Sequence, residues 1–167
     1  MFTTEDDETS GPIVPAGLHL APIGRRALGL LLDQILVVVP VFGGFLAFGF
    51  NPKEAVTDTR AVWFVVATTS LSLIYETVAV WRWQRTLGKL ATGTVVVSIV
   101  DGGPIGFTRS VQRSLVPTTV SAIPQVGMFL GIGVYALALF HPLRQGLHDR
   151  AAGSLVVRAR HKAHGQP

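Results

Sequence analysis

Two carboxylates stand where a carboxylate is costly. Asp33 is the single charge in the apolar stretch 27–50 (ALGLLLDQILVVVPVFGGFLAFGF), and Glu76 is the single charge in 61–81 (AVWFVVATTSLSLIYETVAVW). An ionisable group inside a long apolar helix turns toward protein or water and marks an ion or proton path, or a polar fastening. At ~1.5 Å of rise per residue, Asp33 lies about 9 Å from the start of its stretch and Glu76 about 7–8 Å from the end of its own. If the stretches run antiparallel, the two carboxylates fall at nearly one depth. So placed, they can bind a small cation, share a proton, or accept hydrogen bonds from a basic group reaching inward. Arg26 precedes Asp33 by two helical turns and shares its face. Direct contact is not expected, because about 10 Å of rise separates them. In the competing view Asp33 is neutralised by Lys89 or Arg150 and merely fastens the fold.

The elements that must position these groups are membrane spans. Each stretch supplies the ~20 apolar residues that cross a ~30 Å hydrocarbon core as helix. Trp63, Trp81 and Trp83 fall at or beside the ends of the second, where amphipathic rings favour the headgroup layer. A third region, 114–140, carries no charge and contains Pro117 and Pro124. The chain of 167 residues is 49% hydrophobic and only 14% charged, against roughly 25% charged in soluble domains. Its charge is nevertheless basic, 14 Lys+Arg against 10 Asp+Glu. Few charges, mostly cationic, suit an integral membrane protein with its cations beside the bilayer. Glu5, Asp6, Asp7 and Glu8 make the start acidic, unlike a secretory signal, so the first helix is expected to stay. Residues 1–24, with Pro12, Pro15 and Pro22, read as a disordered tail; 25–157 form the membrane domain, and 158–167 a basic tail. No internal repeat is evident.

The cations orient the chain. Arg25 and Arg26 precede the first helix, and Arg82, Arg85, Lys89, Arg109 and Arg113 follow the second against Asp101 alone. The positive-inside rule puts the N-terminus and the 82–113 loop in the cytoplasm. Arg144, Arg150, Arg158, Arg160 and Lys162 ask for the same side, although one crossing by 114–140 would put them outside. At roughly 40 Å of straight helix the region is too short for two full spans. A hairpin resolves the conflict: a partial helix to about residue 122, a break at Ile123-Pro124, and a second helix from Val126. A plain third span with an outside tail is the alternative. The expected fold is therefore an all-α integral membrane protein with two full transmembrane helices and a Pro-broken third region. Two short β-prone runs, 94–100 (TVVVSIV) and 154–157 (SLVV), could pair as a cytoplasmic ribbon.

Other chemistries find little support. Thr86-Leu87-Gly88-Lys89 ends in Gly-Lys but lacks the upstream glycine of a phosphate loop, since position 83 is Trp. No cofactor motif or metal set is visible, His141 and His148 being isolated and expected to cap helices or face headgroups. Cysteine is absent, which excludes disulfides and thiolate chemistry. No nucleophile–base arrangement suggests an enzyme. The basic loops lack the aromatic interleaving of nucleic-acid readers and fit the bilayer's anionic headgroups instead.

Three blocks, in order, resemble the RDD family of small bacterial membrane proteins. They are Arg25-Arg26-Ala27-Leu28-Gly29-Leu30-Leu31-Leu32-Asp33; then Thr86-Leu87-Gly88-Lys89 with Gly93, the valine run and Asp101-Gly102; then Arg144-Gln145-Gly146-Leu147-His148-Asp149-Arg150-Ala151-Ala152-Gly153-Ser154. The arginine and two aspartates that name the family map to Arg26, Asp33 and Asp149. Leu90 departs from the pattern, since a second basic residue often follows the Gly-Lys pair. The resemblance implies a polytopic protein of the bacterial cytoplasmic membrane. For this family transport has been suggested, and some members look like cation/proton antiporters. It also singles out Asp149, which its local sequence would assign to the surface. Two functions follow. One is transport of small cations or a solute coupled to protons, with Arg26, Asp33 and Asp149 in a polar cluster that Glu76 could join. The other is a non-transporting scaffold or partner subunit held together by that cluster. A transport path through so small a chain is hard to build, so a homo-oligomer is expected.

Overall fold

The computed structural model describes residues 14–15, 17–54, 59–121 and 127–159. Two long helices dominate it: α1 (Ile23–Ala47) and α2 (Thr59–Trp83). Both are long and apolar enough to cross a membrane, and little of either window is buried inside the chain. Leu28, Leu31, Ile35 and Val39 on α1, and Val62, Val66 and Ile74 on α2, project outward and exposed. In water that surface would be an aggregation site; in a bilayer it is the solvated face. The far ends of the helices are pinned by Phe42 and Phe45, edge-on to both Phe50 and Phe64 with centroids 5.5–6.4 Å apart, while Phe50 stacks on Phe64.

After α2 the chain turns through Gln84, held at φ 59, into the five-residue α3 (Leu87–Ala91) and then β1 (Thr94–Ser98). A fourth helix, α4 (Phe107–Ser121), and a fifth, α5 (Gly127–Ala136), come next. A 3-10 turn, Leu137–Leu139, leads toward the short α6 (Leu147–Ala151) and β2 (Ser154–Arg158). The two β-prone runs do pair: β1 and β2 form an antiparallel ribbon with Val96 opposite Val156. The break expected at Ile123-Pro124 lies outside the described residues. Pro117, in contrast, does not break its helix and sits inside α4. One proline removes a single i→i−4 bond, which a helix packed against its neighbours absorbs.

Two expectations are corrected. Residues adjoining the first helix are not tail. Leu20 bridges Val157, Ala21 donates its N–H to Val156 O at 3.0 Å, and Ala21 is buried beside Val80, Val96, Ile105 and Val156. Pro22 then caps α1, which starts at Ile23. A helix–glycine–strand unit also recurs, as α3–β1 and again as α6–β2. At one constant shift Leu87 matches Leu147, Gly93 matches Gly153 and Val96 matches Val156. Gly93 and Gly153 both hold positive φ, 64 and 55, between helix and strand. Because Val96 pairs with its own counterpart Val156, the ribbon has a local two-fold axis at that pair. The similarity escapes a reading of the sequence because the unit is short and few side chains are shared.

Candidate ion-paired site at the ribbon end of the spanning helices

Asp33 is buried on the α1 face that meets α3. The first turn of any helix leaves backbone N–H groups without partners, and here the carboxylate supplies them. Gly88 N donates to Asp33 Oδ1 at 2.8 Å, the N-cap Thr86 hydroxyl donates to Oδ2, and Tyr75 of α2 donates to Oδ1 at 2.8 Å. Tyr75 in turn accepts Leu87 N at 2.8 Å. Two glycines allow this approach. A Cβ on Gly88 would lie 2.0 Å from Gly29 O and 2.8 Å from Asp33 Cγ.

Lys89, on the same short helix, projects between the two carboxylates of the apolar helices α1 and α2. Its Nζ stands 3.4 Å from Glu76 Oε1 and 4.0 Å from Asp33 Oδ2. Beside it is a cavity of about 20 Å³ edged by Asp33, Gln34, Ser72, Tyr75, Glu76 and Thr86, room for about one water-sized occupant. Among the described residues no group of three acidic or imidazole side chains forms a metal site.

A second cluster adjoins the first. Asp149 is wholly buried and takes Arg26, Arg113 and the Gly146 amide, the last at 3.1 Å. Arg26 also donates to the Arg144 carbonyl, and Arg113 to Ser154 Oγ at 2.9 Å. Arg113 Nε lies 3.8 Å from Glu76 Oε1 and so links the clusters. Arg26 of α1 thus pairs with the carboxylate of α6, and Arg113 of α4 lies between the carboxylates of α6 and α2. Burial alone would push the Asp149 carboxyl up, but Arg113 and Arg26, with the Gly146 amide, hold it far below the usual carboxylate range. Next to it His148 is 1% exposed, its ring 4.4 Å from that of Tyr135. Its Nε2 stands 3.4 Å from Asp149 without the alignment of a hydrogen bond. Burial is the larger cause, and with Arg113 and Arg26 it lowers the imidazole pKa to about 4 against the opposing pull of Asp149.

Arg26, Asp33, Glu76 and Asp149 thus lie in one chain of contacts, Asp33–Lys89–Glu76–Arg113–Asp149–Arg26. Arg26 and Asp33 are not paired to each other, and Arg150 is exposed, leaving Lys89 as the cation at Asp33. Within the loop motif, Thr86 caps α3, Gly88 lets it approach, Lys89 pairs and Gly93 turns the chain into β1. Arg113, Tyr75 and His148 were not legible as site residues. The available signal was Arg113 being the last charge before the uncharged region 114–140. His148, expected at a helix cap or among headgroups, is instead a core residue.

The family model for the RDD family matches residues 20–153. No curated protein and no solved structure matches the chain. The matched span begins before Arg26, closes after Asp149 and encloses every ionic contact just described; the chain belongs to the RDD family.

Proposed function

We propose that this chain is a multi-pass protein of the bacterial cytoplasmic membrane that exchanges small cations, or a solute, for protons. The observation that carries the reading is the Lys89 ammonium held between Asp33 and Glu76 at the edge of a small polar cavity. Lys89 occupies the place a free cation would take. An entering cation would take the ammonium's place between the two carboxylates as a proton leaves the site, and Gln34, Ser72 and Thr86 add neutral oxygens of the kind hard cations prefer. Exchanging one cation for one proton keeps the site charge the same, which avoids stranding a net charge in the membrane.

Topology supports the same reading. The ribbon, the Arg26–Asp149 pair and the Arg113–Asp149 pair hold 20–26, 84–113 and 143–158 to one face, and that face carries the basic surplus of a cytoplasmic side. A homo-oligomer would supply the walls that one chain lacks.

A scaffold or partner-subunit role is the second reading, favoured by the saturation of Asp149, whose two oxygens are both taken by guanidinium groups. Proton flux in proteoliposomes on adding Na⁺, K⁺ or Li⁺ separates the two. Exchange predicts flux in the native chain and its loss in Asp33→Asn with the fold retained. Absence of flux under every gradient, with Asp33→Asn misassembling, selects the scaffold.

A further inference from the structure

A second, larger space measures about 740 Å³ and is walled by α1 on one side and by α5 with its 3-10 turn on the other, inside the ~300–1,000 Å³ range of small-molecule sites. Arg26, Lys89 and Arg113 face it beside the neutral imidazole of His148, and among the described residues no carboxylate does. Asp33, Glu76 and Asp149 balance the three cations from behind. A guanidinium has five N–H donors and an ammonium three, and Arg26, Arg113 and Lys89 each make two hydrogen bonds, so N–H groups remain for an anion. Two buried groups strengthen the point: Arg113 Nε and both His148 nitrogens have no hydrogen-bond partner.

Away from this end the α1 wall carries Leu30 and Val38 with Gln34 between them and Thr68 opposite, while Ala136 and Leu139 give the space an apolar side nearer the cations. From Arg26 to Val38 the space follows α1 for about 18 Å of rise, roughly one leaflet of a ~30 Å core. A cationic end and an apolar corridor one leaflet deep match an amphiphile, not a free ion. We propose that the space between α1 and α5 is a binding site for one anionic phospholipid of the cytoplasmic leaflet. The phosphate sits against Arg26, Lys89, Arg113 and His148, and an acyl chain lies along Leu30 and Val38. Basic pockets between membrane helices on the cytoplasmic side suit such headgroups. This assignment does not depend on the exchange reaction.

Native mass spectrometry of the full chain in detergent tests it, titrating phosphatidylglycerol against phosphatidylcholine of the same acyl chains. The site predicts a single phosphatidylglycerol bound at least about tenfold more tightly, a difference of roughly 1.4 kcal/mol. Ala136→Phe fills the corridor without touching a charge and should abolish that preference. If this variant fails to fold, Leu139→Phe, at an exposed edge of the same space, gives the same readout. Equal binding of the two lipids overturns the proposal, as does a preference that persists in the filled variant. Displacement of the lipid by millimolar inorganic phosphate would mark a small-anion site instead. A preference that emerges only after deleting residues 2–12 would name the acidic segment 5–8 as the occupant.

Discussion

His148 is a neutral imidazole in a cavity wall crowded with cations. Arg113 and Arg26 oppose its protonation, Asp149 and Glu76 favour it, and burial outweighs both. A histidine whose folded pKa is about 4, below its unfolded ~6.5, binds fewer protons folded than unfolded across that interval. Stability therefore rises with pH between about 4 and 6.5, and the full contribution, about 3 kcal/mol, is present above it. Asp149 acts in the same direction in a lower window, since its folded pKa is depressed and its contribution fades only as pH falls below the carboxylate range. Thermal unfolding in detergent should show the melting temperature dropping as pH goes from 7 to 5, with His148→Gln flattening the slope. An unchanged slope in that variant would mean that other groups carry it. The Asp33 cation is read from the sequence only as a choice between Lys89 and Arg150. Position along the chain cannot decide between them, because both lie in the same layer and only packing brings Lys89 within reach.

At the scale of elements, the helix–glycine–strand unit is the device that holds the site. α3 and α6 have only five residues each, below what holds a helix in water by itself. Each survives because a carboxylate, Asp33 or Asp149, takes N–H groups at its start, and because a ribbon strand follows it. The approach of α3 to α1 is the tightest point. Gly88→Ala would place its Cβ 2.0 Å from the Gly29 carbonyl, forcing α3 off Asp33. A loss of about 3 kcal/mol is expected, seen as a lower melting temperature and lower yield of folded protein. Gly43→Ala on the same helix α1 meets nothing within 4 Å and should leave stability level or improve it by about 0.5 kcal/mol. The strands were legible from their β-branched runs and turn residues. The recurrence of the unit was not, because it is short and few of its side chains are shared.

For the whole molecule, sidedness is the sharpest prediction. The chain has no cysteine, so one introduced thiol reports alone. Asp101→Cys and Ala159→Cys should both react only from the cytoplasmic side and Lys53→Cys only from outside; external labelling at 159 would replace the re-entrant hairpin with a third span. The sequence by itself determined the medium, the two spanning helices and the anomalous carboxylates, because hydrophobic length and the cost of an intramembrane charge act locally along the chain. It also carried the family through Arg26, Asp33 and Asp149. Only the tertiary structure decided the partners: Lys89 between Asp33 and Glu76, Arg26 and Arg113 on Asp149, and a cation-lined space between α1 and α5. Ion pairs across a fold depend on which helices pack together, and a chain with few charges offers each of them several partners until packing selects one.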